Sequence, residues 1–210
     1  MITMIRKNHS VTFLAGEFIS QLFAKKLSQN LVFHNFHHTY LVVQGIREIS
    51  RNLRLNKEQR EILLLAAWFH DSGHIQTYIG HEEISQQIAY EWLKNENYPT
   101  EKLEQVLACI AATHLPQQPQ NLLQEVMCDA DLFHLSLGEY CHLQFQLREE
   151  FKRVLGKEYT DYQWMKENLS FLKNHQYFTS FGKRVLAKGK ARNTAKCTQL
   201  FEEYQQHSAS

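Results

Sequence analysis

Helix and chain breakers are scarce in this sequence, with three prolines and eight glycines in 210 residues. There is no Gly-rich phosphate loop, no internal repeat and no convincing alternation of apolar and polar residues of the kind a half-buried strand needs. The four cysteines show no CxxC spacing. Cys109, Cys128 and Cys141 lie in apolar or helical surroundings, where a free thiol packs as a small hydrophobe. This reads as a reduced, cytoplasmic protein. No apolar run approaches the ~18 residues that span a bilayer, and the start MITMIRKNHS lacks the apolar stretch and cleavage site of a signal peptide. Net charge is also small, at +1, which argues against wholesale nucleic-acid binding. One local absence breaks that balance. No Asp or Glu occurs from Asn168 to Phe201, while Lys173, Lys183, Arg184, Lys188, Lys190, Arg192 and Lys196 do.

What is present is apolar residues at three- and four-residue spacing, the helical period. Phe13, Phe18, Leu22 and Leu27 predict a first helix over 10–28, and Leu41, Val42, Ile46 and Ile49 a second from His34 to Leu53. The stretch 57–71 is apolar nearly all round, from Ile62 to Phe69, and should be the central buried helix. Ser72-Gly73 should end it. Further helices are expected over 81–96, 101–114, 120–134, 137–155, 161–174 and 190–206, with Thr100 as an N-cap and Leu115-Pro116 in a loop. The fold class is all-α. The first helix, with Ile19 and Phe23 besides, packs either on the core or on a second copy of the chain.

Twelve histidines stand in the sequence, and their placement matters more than their number. His70-Asp71 closes an eight-residue apolar stretch, and a buried carboxylate is costly unless paired or bound to a cation. A bland reading has Asp71 capping the next turn and His70 bonding a carbonyl. Company argues otherwise. His34 and His38 sit one turn apart at the start of the second helix, with His37 about 100° away. His114 ends another apolar helix, and Asp129 and Asp131 sit inside a further one. Imidazole with carboxylate is the donor set for Zn, Mn, Fe or Co, with positions left for water and substrate.

The order His38 … His70-Asp71 … Asp131 resembles the HD superfamily of metal-dependent phosphohydrolases. The contexts are His-Thr-x-x-Val-Val, Ala-Ala-x-x-His-Asp-x-Gly-His and Asp-Ala-Asp-Leu, and the similarity covers roughly residues 30–140. The resemblance implies an HD-domain helical bundle over 31–140, an N-terminal helix within 1–30 packing on it, and a C-terminal helical extension of the same domain over 141–210. It makes His38, His70, Asp71 and Asp131 the ligands of a divalent ion (Mn, Fe, Co, Ni, Zn or Mg), with Asp129 the weaker competitor of Asp131. Some members bind a second ion through two more histidines, for which His81 and His114 stand in the matching places and Asp71 would bridge. Otherwise His81 is a helix-start residue beside Glu82 and Glu83. His74 falls where members contact the substrate phosphate, unless it is only a loop histidine. Phe33-His34-Asn35 and His38 resemble the Tyr-His-Asn-x-x-x-His stretch of cyclic-nucleotide phosphodiesterases. That makes His34 the candidate general acid, or else a residue that orients His38 or Asp131.

The implied reaction is attack of a metal-activated water on a phosphate ester, with Asp71 or Asp131 taking a proton and His34 returning one. The expected substrate is a phosphorylated small molecule, a nucleotide or a phosphomonoester. Cyclic or signalling nucleotides are a second class, although the Gly-Tyr-Pro signature of the cyclic di-GMP branch is missing. The rival reading is a non-catalytic HD-fold ligand-binding or interaction module, against which the intact ligand set argues. The basic stretch reads as a solvated face over Leu186, Leu200 and Phe201; lining the substrate entrance, or contact with RNA, is the alternative. Tyr177–Ser180 with Lys183-Arg184 is placed as a flap over the metal site. His9, His134, His142, His175 and His207 match no motif. Phe145, Phe151, Tyr162, Trp164, Phe171 and Phe178 read as core.

Overall fold

A computed structural model describes residues 9–208, with the side chains of 206–208 outside the description. Among the described residues the chain forms nine α-helices and no strand: α1 (Val11–Lys26), α2 (Phe36–Asn52), α3 (Lys57–Phe69), α4 (His81–Asn95), α5 (Thr100–Ala111), α6 (Leu122–Asp131), α7 (Tyr140–Leu155), α8 (Asp161–Asn174) and α9 (Ala187–Ser208). Short 3-10 turns cover Ser72–Ile75 and Leu132–Ser136, and a π-helical turn, Gly182–Leu186, leads into α9. No helix is long and apolar enough to cross a membrane.

α3 is the axis of the molecule. A capping box at Asn56 and Gln59 starts it, and Ile62, Leu63, Leu65, Ala66, Ala67 and Phe69 are buried along it. Burying side chains of this size contributes about 1.5–3 kcal/mol each. α1, α2, α5 and α6 pack around it. Ala15, Ile19 and Phe23 of α1 enter this core, while Phe13 is 48% exposed.

A second apolar cluster lies beyond the turn 132–136. There Leu135, Tyr140, Trp164, Met165, Leu169, Leu172 and Cys197 are buried, with Phe145, Phe151, Leu200 and Phe201 packed against them. This cluster joins α7, α8 and α9 to the turn that follows α6. Tyr162 and Phe171, expected in the core, are on its outer side, and Phe178 is half-buried. Lys173, Lys183, Arg184, Lys188, Arg192 and Lys196 are exposed above the buried Leu186, whereas Lys190 turns in to donate to the carbonyls of Leu172 (2.9 Å) and His175.

Boundaries differ from the sequence expectation where a polar residue fixes the end. Asn35 accepts from the amides of His37 (2.9 Å) and His38 (3.4 Å), so α2 starts after it and His34 lies outside the helix. Pro99, with φ −58° and ψ 130°, holds the capping position of α5, and Thr100 is the first helical residue. α3 stops at Phe69, two residues early, as Ser72 Oγ turns back to the Phe69 carbonyl at 2.7 Å. All four cysteines are free, with Cys109, Cys128 and Cys197 buried.

Candidate metal centre

Three helix ends converge on one point. His38 comes from the first turn of α2, which Asn35 fixes. His70 and Asp71 follow α3, and Asp131 is the last residue of α6. His38 Nε2 lies 3.4 Å from Asp71 Oδ2 and 3.4 Å from Asp131 Oδ1. His70 Nε2 lies 3.2 Å and 3.5 Å from the same two oxygens. The ring of His70 is set by Nδ1 on the Ala67 carbonyl at 2.9 Å, which turns Nε2 inward.

These atoms are close but not hydrogen-bonded. His38 Nδ1, His70 Nε2 and Asp71 Oδ2 are all buried without a hydrogen-bond partner in the protein. Orphaned buried polar atoms are rare and costly, and two of these, His70 Nε2 and Asp71 Oδ2, meet where His38 Nε2 also points: His38, His70 and Asp71 each offer a ligand atom within 4.8 Å of the others. A divalent ion fits this donor set, which is two neutral imidazoles and two carboxylates. Burial opposes charge on His70, Asp71 and Asp131, and these groups shift one another. Asp71 and Asp131 carboxylates hold His70 well above its ordinary value, and the histidines hold Asp71 well below the usual carboxylate range.

Asp71 faces two ways. Its Oδ2 meets His38 and His70, and its Oδ1 lies 3.3 Å from His81 Nε2 and 3.9 Å from His74 Nε2. His81 is the first residue of α4, its Nδ1 on the Tyr78 carbonyl at 3.2 Å. Gly73 makes the approach of α4 feasible, since a Cβ there would meet the His81 carbonyl oxygen at 2.0 Å. His34, Asp71 and His74 form a second group with ligand atoms within 4.8 Å of one another.

The remaining expected residues fall out unevenly. His74 does not face substrate space: it is 6% exposed, stacked on His81 with ring centroids 3.8 Å apart, and both ring nitrogens lack partners. Burial there drives its pKa down to about 2, so a neutral ring replaces the expected phosphate contact. His114 is exposed on the rim, outside both ligand groups, because α5 ends at Ala111 before reaching it. Asp129 points the other way, accepting from the amides of Phe178 (2.7 Å) and Thr179 (3.0 Å) and from Thr179 Oγ1 (2.6 Å). The segment 177–180 is thereby tied to the far side of α6 and does not close over the centre. His37 is exposed, as expected. His134, matched to no motif, packs its ring 5.7 Å from that of His38, with Nδ1 on the Asp131 carbonyl at 3.1 Å. The side chain of His207 is outside the described residues.

Sequence reasoning missed Glu150. This α7 carboxylate is fully buried and accepts from four donors: the amides of Phe33 (2.8 Å) and His34 (3.0 Å), His34 Nδ1, and the Tyr78 hydroxyl (2.9 Å). Burial would lower the pKa of His34, but Glu150 and Asp71 hold it raised. A cavity of about 220 Å³ opens beside the centre, reached by His34, Asp71, His81 and Asp131 and walled by residues 78–80 and 113–115.

Comparison with protein-family models matches the HD domain over residues 35–136. The curated proteins and the solved structures compared with the chain give no match. The matched segment runs from the cap of α2 to the turn after α6 and holds His38, His70, Asp71 and Asp131. The chain carries an HD domain over residues 35–136.

Proposed function

We propose that this protein is a metal-dependent phosphohydrolase, cleaving a phosphate ester of a nucleotide or small phosphomonoester with water. The observation that carries the reading is the pair of buried, partnerless atoms His70 Nε2 and Asp71 Oδ2, gathered with His38 Nε2 and Asp131 Oδ1 beside a cavity. His38, His70, Asp71 and Asp131 would hold one divalent ion. Asp71 Oδ1, with His81 and His74, offers a position for a second, in place of the pair His81 and His114. An ion held there supplies positive charge to the phosphoryl oxygens and acidifies water near neutral pH.

The chain's own groups divide the proton work. Asp131, whose Oδ2 accepts from Gln117 Nε2 at 3.2 Å, lies on the cavity wall and can take the proton of the attacking water. His34 stands across the wall, 21% exposed at its side chain. Its Nδ1 is fastened to Glu150, which leaves Nε2 as the nitrogen that can protonate the departing oxygen. Glu150 and Tyr78 orient that ring.

The test is hydrolysis of a panel of phosphomonoesters and nucleotides by protein stripped with chelator and reloaded with Mn, Fe(II), Co, Ni, Zn or Mg. Metal-dependent phosphate release supports the proposal. Bound metal without turnover of any phosphate ester moves the protein to the class of non-catalytic HD-fold modules.

A further inference from the structure

The stretch after Glu167 forms a strongly charged surface that the metal centre does not use. The chain has 23 Lys and Arg against 22 Asp and Glu, yet residues 168–201 hold seven of the bases and none of the acids, so the remainder is net acidic. Folding keeps the two signs apart. Residues 180–208 are helical without a break, through the π-helical turn into α9. Lys188, Arg192 and Lys196 follow at four-residue intervals, rising about 6 Å at a time within an arc of about 80°. All three are exposed, each one residue before the buried row Gly189, Asn193 and Cys197. Lys183 and Arg184, also exposed, extend the row toward the helix start.

A face that only keeps the protein solvated carries mixed signs, and the rest of this surface does so. Arg153 meets Glu149 at 2.7 Å, Lys152 meets Glu158 at 3.0 Å, Lys102 meets Glu58 at 2.8 Å and Arg148 meets Asp161 at 2.6 Å. Among the described residues Lys183, Arg184, Lys188, Arg192 and Lys196 have no ion-pair partner. Like charges one turn apart on a helix repel each other. Lys183 and Arg184 also stand in the first turn of the helix, where its dipole favours an acid. The row therefore costs the folded chain stability that mixed charges would not, and a bound polyanion offsets that cost.

The shape of the row selects the polyanion. It is narrow and runs about 12 Å from Lys188 to Lys196, and a duplex presents one negative charge per ~1.7 Å of its axis, enough for every cation to meet a phosphate. The exposed residues beside the row are Ala191, Ala195 and Gln199. None is an aromatic ring on which an unpaired base could stack. Nor is there an apolar face for a bilayer, because α9 turns Cys197 and Leu200 into the second cluster. We infer that this face of α9 docks a nucleic-acid duplex through its sugar–phosphate backbone, without reading its bases. Docking there requires nothing of the metal centre.

The experiment follows the fluorescence anisotropy of labelled DNA and RNA duplexes of about 20 base pairs with the full chain, at salt from about 50 to 300 mM. Both duplexes should bind, with a slope of log K against log salt between about −2.7 and −4.5, as three to five phosphate contacts give. Lys188→Gln with Arg192→Gln and Lys196→Gln should weaken binding more than about a hundredfold at the lowest salt, with helical signal and metal content unchanged. Lys25→Gln with Lys26→Gln and Arg51→Gln removes the same charge from exposed positions on α1 and α2 and should cost less than about threefold. Unchanged affinity in the folded row variant overturns the inference, and so does tighter binding of a single strand of the same length. Binding of phosphatidylserine vesicles or of polyglutamate, with neither duplex bound, overturns it in favour of a membrane or an acidic protein. Binding of none of these probes overturns it too, and leaves the row a solvated face.

Discussion

Replacing Glu150→Gln keeps the side-chain volume and removes the charge. The wild-type carboxylate shares two backbone amides on Oε2 and the His34 ring and Tyr78 hydroxyl on Oε1. The amide oxygen of Gln can keep the two backbone donors, but its NH2 then faces two groups that were donating. Hydrogen bonds to a charged group are worth about 1.5–3 kcal/mol each. The Tyr78 hydroxyl can turn and accept, so the loss is about 2–3 kcal/mol. For a chain of this size that corresponds to a fall in Tm of roughly 5–10 °C. The pH dependence is specific. His34 is raised above 6.5, so its share of the stability is complete below that value and lost as pH rises through the folded-state pKa. Glu150 is lowered below 4.5, so its share is complete above that value and lost as pH falls through its folded-state pKa. The gap between wild type and variant should therefore be widest between 4.5 and 6.5 and narrow on either side. Thermal melts of the metal-free proteins across pH, with the His34 ring followed by NMR, measure both. A Tm change under about 1 °C, or a gap that ignores pH, would refute the reasoning.

Other outcomes follow from the same packing. Gly73→Ala drives a Cβ to 2.0 Å from the His81 carbonyl oxygen, so the loop or α4 must move; a cost of about 1–3 kcal/mol and weaker metal binding are expected by melt and titration. Thr179→Val removes one of three donors to the buried Asp129, and should cost about 1–2 kcal/mol in denaturant unfolding while leaving metal content unchanged. Metal uptake should release protons, and should weaken as pH falls through the folded-state value of His70, which lies above 6.5. The reason is that His70 is held raised by Asp71 and Asp131 and must lose its proton to bind. Calorimetry in two buffers of different ionisation enthalpy detects it, and equal heats in both would contradict it.

Much of the fold was legible because helical period and capping residues agree. The run Ile62–Phe69 marked the central helix, and α8 has the expected bounds. The convergence of His38, His70, Asp71 and Asp131 could be anticipated from their order, since each ends or begins a helix at an apolar face. Three features were not legible for physical reasons. Asn35 draws the α2 boundary past His34, and only the cap geometry decides that by one residue. His74 and His114 exchange surroundings because a buried 3-10 turn follows Asp71 while α5 stops short at Ala111. Glu150 sits beside Glu149 in a helix that resembles a solvated one. Its only signal is register, for it shares a face with Leu143 and Leu147 at helical spacing, where an acid needs a partner. The partners come from residues 33, 34 and 78, too far along the chain for any local pattern to supply.

The central claim is that His38 Nε2, His70 Nε2, Asp71 Oδ2 and Asp131 Oδ1 hold a divalent ion, and elemental analysis tests it most directly. Protein loaded with manganese or iron(II) and passed through a desalting column should carry one or two ions per chain. Asp71→Ala should carry none and keep its helical signal. Full metal content in the folded Asp71→Ala protein, or none in the wild type under any loading condition, would contradict the account.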